Sequence, residues 1–114
     1  MAFRITITAD ADRQLRALSV REQRILEAAI VGRLRNAPSS PTRAIKRLRS
    51  NPLAEFELRV GDLRVLYNVE ADEVILLIVG KKSGNALIVE GEEFHAHQAD
   101  PPEPTGNGPE GDAE

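Results

Sequence analysis

Two arginines face each other across a β-hairpin that the sequence predicts. Apolar residues alternate with charged or polar ones over most of 54–69, on both sides of a Gly-Asp turn at 61–62. A two-residue turn that begins with Gly is typical of a type II′ hairpin, and a turn of this length fixes the register of the strands. Arg59 then lies directly opposite Arg64. Because like charges on neighbouring strands repel each other, either Glu57 and solvent compensate this pair or the pair forms an anion site.

A second pair of cations follows the next predicted strand. Residues 74–79 form a continuous apolar run, and Lys81 and Lys82 come shortly after it. We expect both lysines to join Arg59 and Arg64 at the end of the sheet. Guanidinium and ammonium groups on one sheet face are suited to hold a phosphodiester and to stabilise the negative charge that develops during its cleavage.

Four more cations lie within seven residues before the hairpin: Arg43, Lys46, Arg47 and Arg49. This density is enough to follow a nucleic-acid backbone, and a solvated basic loop has the same pattern. Aromatic residues make up only 4% of the chain and Trp is absent, so a platform for stacking bases is not supported. Binding to backbone phosphates or to an acidic protein is favoured instead. These four residues and Lys81 are the candidate RNA-binding residues.

Other catalytic chemistries have little support in the sequence. The chain has no Cys, which excludes disulfides, thiol nucleophiles and thiolate metal sites. The motifs G-x-x-x-x-G-K, G-x-G-x-x-G, H-E-x-x-H and G-x-S-x-G are absent as well. His95 and His97 lie beside Glu92 and Glu93, but two histidines without a third ligand at a known spacing favour a solvated pair over a metal site. We therefore expect no metal and no cofactor.

The charge of the chain is divided between a basic body and an acidic tail. The net charge is −3, yet residues 1–89 hold 15 Lys and Arg against 10 Asp and Glu, whereas residues 90–114 hold eight acids and no Lys or Arg. Residues 99–114 are rich in Pro, Gly and acids, so we expect a disordered tail after one folded domain at 1–98. A basic domain favours a polyanionic or acidic-protein partner.

Membrane insertion and export are not expected. No apolar run approaches the ~20 residues that span a bilayer, and the first eight residues lack the apolar block of a signal peptide. The sequence predicts a cytoplasmic protein without a membrane partner.

The N-terminal half predicts a strand followed by two helices. Residues 3–7 alternate apolar and polar side chains, as a short strand with one buried face does. A helix follows from Asp10. Ser19 and Glu22 then match a capping box, which starts a second, amphipathic helix that ends at 36–38. These elements predict an αα-hairpin.

The sheet is predicted to need cover on both faces. Residues 41–50 are left open between a helical turn and an irregular connection, and 86–89 returns as a short extension. We expect an α+β fold, in which the N-terminal strand and the αα-hairpin pack on one face of a small antiparallel sheet. The run 74–79 is apolar on both sides, and Leu66 lies on the otherwise polar side of the hairpin. The second face is therefore covered either by 86–94 or by a strand or helix from another chain, and we expect the isolated protein to expose an apolar patch there and to be poorly soluble.

The hairpin and the strand after it carry motifs of a known family. Residues 57–61 read Glu-Leu-Arg-Val-Gly, 64–67 read Arg-Val-Leu-Tyr, and 79–82 read Val-Gly-Lys-Lys. Together with the preceding strand and αα-hairpin, over about residues 1–95, they resemble the RelE/ParE superfamily of toxins from bacterial type II toxin–antitoxin pairs. The resemblance implies the fold expected above and a cognate antitoxin as protein partner.

The resemblance implies two different activities. RelE-like members cleave messenger RNA on the ribosome without a metal, using basic residues of the sheet to bind RNA and to stabilise the transition state. Arg59, Arg64 and Lys82 match the basic positions of the motifs, and Glu57 is a candidate general base toward a ribose 2′-hydroxyl. ParE-like members instead bind DNA gyrase and are not nucleases.

Departures from the RelE-like pattern keep alternatives open. Those nucleases often carry lysines at the positions of Glu55 and Glu57, and a Tyr or His within 83–88, where this chain has neither. A carboxylate at such a position repels the RNA backbone. The resemblance implies a metal-independent, translation-associated mRNA endoribonuclease, with a non-catalytic gyrase inhibitor and a catalytically silent RNA-binding homologue as the alternatives.

Overall fold

Two helices pack on one face of a single mixed sheet. The computed structural model describes residues 2–48 and 53–94. Its elements are β1 Arg4–Ile7, α1 Ala9–Arg16, α2 Val20–Ala29, β2 Ile45–Arg47, β3 Phe56–Val60, β4 Leu63–Glu70, β5 Glu73–Ser83, β6 Ala86–Val89 and β7 Glu92–Phe94. Over these residues the strand order is β2-β3-β4-β5-β6-β7, with β1 pairing to β5. This is the α+β architecture that the sequence predicts.

Side-chain caps fix where the two helices begin. The Thr8 hydroxyl accepts a hydrogen bond from the backbone N–H of Ala11 and caps α1. At α2 the Ser19 hydroxyl accepts from the N–H of Glu22 at 3.1 Å, and the Glu22 carboxylate accepts from the N–H of Ser19 at 3.2 Å. The predicted capping box is therefore confirmed. Helix α2 passes directly into a π-helical turn at Ile30–Leu34, and no helix of 2–48 and 53–94 is long and apolar enough to cross a membrane.

Replacing Ser19 by alanine is expected to destabilise the protein by about 1 kcal/mol, because the change removes the acceptor that satisfies a free N–H of the first helical turn. The free energy of unfolding in urea, measured at pH 7, checks this value. Ser39→Ala is the control, since Ser39 lies in the exposed turn that follows the helices. Equal stability of Ser19→Ala and the wild type would contradict the capping role.

The central hairpin has the predicted register. Phe56 pairs with Tyr67, and Arg59 pairs with Arg64. Gly61 opens the turn with a φ of 59°, a left-handed conformation that glycine adopts without strain. The rings of Phe56 and Tyr67 stack at a centroid distance of 5.5 Å on the helix side of the sheet. This hairpin places two arginines on the opposite side, which we call the reverse face.

The main core lies between the helices and the sheet. Tyr67 is fully buried there, and its hydroxyl donates a hydrogen bond of 2.6 Å to the carbonyl of Pro38. Burial raises the pKa of Tyr67, so the phenol stays a neutral donor. Tyr67 thus has a packing role, as its position in the hairpin predicts. The buried members of this core are Ala11, Leu15, Leu26, Ile30, Leu34, Ile45, Phe56, Leu58, Leu63, Val65, Tyr67, Val74, Leu76 and Val79.

A second, smaller core lies on the reverse face. The register of β4 and β5 shifts at Leu66 and Tyr67, where Leu66 pairs with Ile78 and Tyr67 with Leu76. Leu66 and Ile78 are only 3% and 8% exposed, because residues of the C-terminal hairpin, formed by β6 and β7, and residues before β3 pack against them. The cover therefore comes from the same chain, from the predicted segment 86–94 together with residues that precede β3, and the prediction of an exposed patch is wrong. The cluster comprises Ala54, Leu66, Ile78 and Val89, packed with Leu48, Leu53, Leu77, Leu87 and Phe94.

Three strands differ from the prediction. β2 forms inside the connection 41–50, and its Ile45 pairs with Leu58. β7 pairs with β6 through Leu87 and Phe94, although its sequence Glu-Glu-Phe shows no strand pattern. β1 runs parallel to β5, so the sheet is mixed rather than wholly antiparallel. Strand direction is not encoded in the alternation of side chains, since both pairings have the same period of two.

Candidate functional site

A groove of about 200 Å³ opens on the reverse face, and we call it the cationic groove. It is bordered by the C-terminal half of β5 and by the neighbouring strands on both sides. Four cationic side chains and one carboxylate lie in its wall, with three apolar residues and an amide at its rim. Its lining residues are Lys46, Leu48, Glu57, Arg59, Arg64, Lys82, Asn85, Ala86 and Leu87.

Strand pairing brings these side chains together from distant parts of the sequence. Lys46 pairs with Glu57, Arg59 pairs with Arg64, and Lys82 pairs with Leu87. Residues paired across a sheet project on the same face, so all of these side chains point to the side away from the helices. The backbone N–H of Lys82 donates to the carbonyl of Asp62 at 2.7 Å and fixes the end of β5 against the hairpin turn.

Arg59 is compensated within its own strand. Its Nε donates to Oε1 of Glu57 at 3.0 Å, and the two side chains are 40% and 18% exposed. Glu57 lies two residues earlier on the same face, so the carboxylate reaches the guanidinium without leaving the strand. This ion pair reduces the repulsion between Arg59 and Arg64. The compensation that the sequence left open is therefore observed.

Arg64 is held at the hairpin turn instead. Its Nη1 donates to the carbonyl of Gly61 at 2.7 Å and to the carbonyl of Leu63 at 2.9 Å. These bonds orient the planar guanidinium and use one of its three nitrogen atoms. In the described ranges no hydrogen bond joins Nε or Nη2 to the protein, so the remaining N–H groups are available to an oxyanion at the groove.

The structure brings together all four predicted catalytic residues and one predicted RNA-binding residue. Arg59, Arg64, Lys82 and Glu57 line the cationic groove, and Lys46 joins them from β2. The sequence did not identify Leu48, Asn85, Ala86 and Leu87 as part of the site. Asn85, Ala86 and Leu87 lie in or next to the short extension that the sequence predicts after β5. The pairing of Leu87 with Lys82 brings this extension to the rim of the groove.

Lys81 lies on the other face of the sheet, so the prediction that it joins the cluster is wrong. It pairs with Leu63 of the main core, one position from Lys82, and successive side chains of a strand point to opposite faces. Its Nζ lies 2.7 Å from Oε2 of Glu22 in α2. Lys81 therefore ties the end of β5 to the helices.

The basic run 43–49 does not form one continuous stripe. Arg47 is on the helix side of β2, with its guanidinium carbon 5.5 Å from the centroid of the Phe56 ring, a cation–π arrangement. Arg43 is exposed in the loop before β2, and Arg49 lies outside the described residues. Only Lys46 of this run is seen in the groove.

The Glu22–Lys81 contact makes the stability of the fold depend on pH. The hydrogen bond from Lys81, followed by that from the Ser19 backbone, lowers the pKa of Glu22 below its ordinary value of 4.5, and Glu22 in turn raises the pKa of Lys81. A carboxyl group whose pKa is lower in the folded state stabilises the fold above its unfolded pKa. That contribution is lost as the pH falls through the lower folded value.

We expect Lys81→Gln to raise the pKa of Glu22, because the largest cause of its lowering is removed. The pKa is measured by NMR titration of the Glu22 side-chain carboxyl carbon in both proteins. An unchanged Glu22 pKa in the variant would show that the capping box alone lowers it.

The C-terminal hairpin that borders the groove is fastened to α1. The Nε of Arg13 lies 3.0 and 3.2 Å from the two carboxylate oxygens of Glu90, and its Nη1 lies 2.9 Å from Asp10. The bonds to Glu90 and then to Asp10 raise the pKa of Arg13. Glu90 and Gly91 have φ angles of 54° and 82° in the turn between β6 and β7. This contact holds the turn in place at the far end of the reverse-face core.

A metal site finds no support in the described part of the chain. Within 2–48 and 53–94, no three His, Asp or Glu side chains are grouped to hold an ion. Glu92 and Glu93 lie in β7, and the candidate ligands His95 and His97 lie outside the described residues. Residues 95–98 of the predicted domain and the predicted tail 99–114 lie outside them as well.

Comparison with known proteins agrees with this architecture. No protein-family model matches the sequence, and no curated protein matches it. Among solved structures, a chain of the RelBE2 toxin–antitoxin complex from Mycobacterium tuberculosis is similar, with a TM-score of 0.62 and 26% sequence identity. The match covers 72% of this chain and 93% of that chain. The protein therefore has a RelE-type toxin fold, as its hairpin and helix motifs predict.

Proposed function

We propose that the protein is the toxin of a type II toxin–antitoxin module and that it cleaves messenger RNA during translation, without a metal, in the cationic groove. The observation that carries this proposal is the convergence of Lys46, Arg59, Arg64 and Lys82 with the carboxylate of Glu57 on one open sheet face. The similarity to a toxin–antitoxin complex supports the toxin role.

The proposed cleavage uses the ribose 2′-hydroxyl as an internal nucleophile. The ribose 2′-oxygen attacks the adjacent phosphorus, the bond from phosphorus to the 5′-oxygen breaks, and a 2′,3′-cyclic phosphate and a 5′-hydroxyl result. Glu57 accepts the proton of the 2′-hydroxyl, and solvent protonates the leaving oxygen. In this proposal Arg64 and Lys82, which line the groove, stabilise the extra negative charge on the phosphoryl oxygens. Lys46 and Arg59 bind neighbouring phosphates.

A cognate antitoxin is the protein partner in this proposal. The similar structure is a complex of toxin with antitoxin. Residues 1–89 carry a positive net charge, which complements an acidic partner. Co-purification with the product of a neighbouring reading frame is the measurement that tests the pairing.

One observation favours a non-catalytic alternative. The carboxylate of Glu57 is engaged by Arg59 at 3.0 Å, so each of the two groups reduces the charge that the other offers to RNA. A ParE-like toxin that inhibits DNA gyrase, or a catalytically silent RNA-binding homologue, requires no free base in this groove.

Two reactions separate these functions. The purified full chain is added to a translation reaction, in which cleavage is mapped by primer extension, and to a supercoiling reaction with DNA gyrase. Site-specific message cleavage with normal supercoiling supports the proposal, whereas lost supercoiling with intact message supports the gyrase inhibitor. If neither reaction is affected but the protein binds RNA, the silent homologue is supported.

The toxin role is tested separately in cells. Growth arrest on expression, relieved by co-expression of the neighbouring gene, is expected for a toxin. Normal growth of cells that accumulate folded protein would contradict it.

A further inference from the structure

We propose that the acidic segment 100–114 of this chain occupies its own cationic groove and competes there with RNA. This inference rests on the proposed function only in taking RNA as the competing polyanion. The segment carries five acids and no Lys or Arg, whereas the groove carries four cations and one carboxylate. The two charges are therefore complementary.

The last described strand, β7, ends close to the groove. Phe94, the last residue of β7, pairs with Leu87, and Leu87 pairs with Lys82 of the groove. Neighbouring strands lie about 4.8 Å apart, so the backbone of Phe94 is about 10 Å from that of Lys82. β7 is antiparallel to β6, which is antiparallel to β5, so β7 ends at the same end of the sheet as Lys82.

The first acids of the segment are within reach. Asp100 follows Phe94 by six residues, and six residues span at most about 20 Å. This length exceeds the distance from β7 to Lys82 and Arg64. The chain is therefore long enough for Asp100 and Glu103 to contact the groove without any change in the described fold.

Tethering makes this weak contact effective. A short acidic peptide free in solution binds a cationic groove weakly, because exposed ion pairs contribute little and are screened by salt. Covalent attachment to the same molecule through a short connection raises the effective concentration of such a peptide to about the millimolar range. An RNA with many phosphates displaces the segment, so the segment sets a threshold for RNA binding rather than a permanent block.

The three lysines of the chain offer a direct test. Lys46 and Lys82 line the groove, whereas Lys81 is on the opposite face beside Glu22. A zero-length carbodiimide reagent joins a lysine amine to a carboxylate that it touches, and mass spectrometry of the monomer identifies the joined residues. We expect Lys46 and Lys82 to be joined to Asp100 or Glu103, and Lys81 to Glu22.

The Lys81–Glu22 product is the internal control. If it forms while no tail carboxylate is joined to Lys46 or Lys82, the proposal is overturned. The same conclusion follows if the tail is joined to Lys81 as often as to Lys82, or if the tail links appear only in cross-linked dimers.

The competition is tested with full-length variants. In one variant the tail acids Asp100, Glu103, Glu110, Asp112 and Glu114 are replaced by the corresponding amides, and in another the order of residues 100–114 is scrambled. Fluorescence anisotropy measures the affinity for a single-stranded RNA oligonucleotide at 50 and 300 mM salt. We expect the amide variant to bind about 10-fold more tightly at low salt and the difference to shrink at high salt, because screening weakens the tail contact.

The scrambled tail distinguishes charge from sequence. It is expected to bind RNA as the wild type does, and wild-type affinity of the amide variant would overturn the competition. Since cross-linking needs neither RNA nor activity, absence of message cleavage would sink the proposed function and leave the tail contact standing. Conversely, the wild type and the amide variant could cleave at equal rates while no cross-link joins the tail to Lys46 or Lys82. That result would contradict the tail contact and leave the proposed function standing.

Discussion

Replacing Arg64 by alanine is expected to slow message cleavage by about 10²-fold or more, the usual cost of removing one donor that stabilises a developing oxyanion. Arg64 lies in the centre of the cationic groove between Arg59 and the C-terminal half of β5. Its guanidinium is oriented by the carbonyls of Gly61 and Leu63, so little motion is needed to meet a phosphate. The rate is measured under single-turnover conditions in a translation reaction.

Two further variants show whether the loss comes from the transition state. Arg64→Lys keeps the positive charge but loses the planar guanidinium and its paired N–H donors. It is therefore expected to cleave faster than Arg64→Ala but more slowly than the wild type. Arg24→Ala removes an exposed arginine from α2, on the helix side, and is expected to cleave as the wild type does. Because Arg64 also bonds to the hairpin turn, the urea midpoint of each variant is compared. Wild-type cleavage by a stable Arg64→Ala protein would remove Arg64 from the mechanism.

The part of this site that was predictable is the part set by local rules. A two-residue turn and the period of two in a strand are enough to place Arg59 opposite Arg64, and the structure has that pair. Likewise, the spacing of Ser19 and Glu22 is enough to start α2. Each of these features depends on contacts between residues that are close in the sequence.

The features that were missed depend on contacts between distant residues. β2 has three residues, and its extended form follows from its pairing with β3 rather than from its own pattern. Lys81 and Lys82 are successive residues of β5, so only one of them can lie on the reverse face, and the expectation that both do overlooked this alternation. The bulge near Leu77 decides which of the two it is, because it changes which residues of β5 face the helices. Since a bulge is not visible in an all-apolar run, the face of each lysine could not be read from the sequence.

The second large effect is expected from Gly80→Ala, which should destabilise the protein by about 2 to 3 kcal/mol. A Cβ at Gly80 would lie 2.7 Å from the carbonyl oxygen of Ile88, 3.0 Å from Cγ2 of Val89 and 3.1 Å from Cδ1 of Leu87. The nearest atom belongs to the backbone of β6, so relief requires β6 to move away from β5. The free energy of unfolding in urea measures the loss.

This movement has a second consequence, because β6 and β7 cover the reverse-face core. Displacing Leu87 and Val89 exposes Leu66 and Ile78, so Gly80→Ala is expected to bind the dye ANS where the wild type does not. Gly32→Ala is the matched control: among the described residues, and apart from its chain neighbours and the backbone of its own helix, no atom lies within 4 Å of its Cβ position. In a helical turn this change is neutral or stabilises by up to about 1 kcal/mol. Gly80→Ala with wild-type stability and no ANS binding would contradict the packing of the segment 86–94 over this face. The position of Leu87 at the rim of the cationic groove would then be wrong as well.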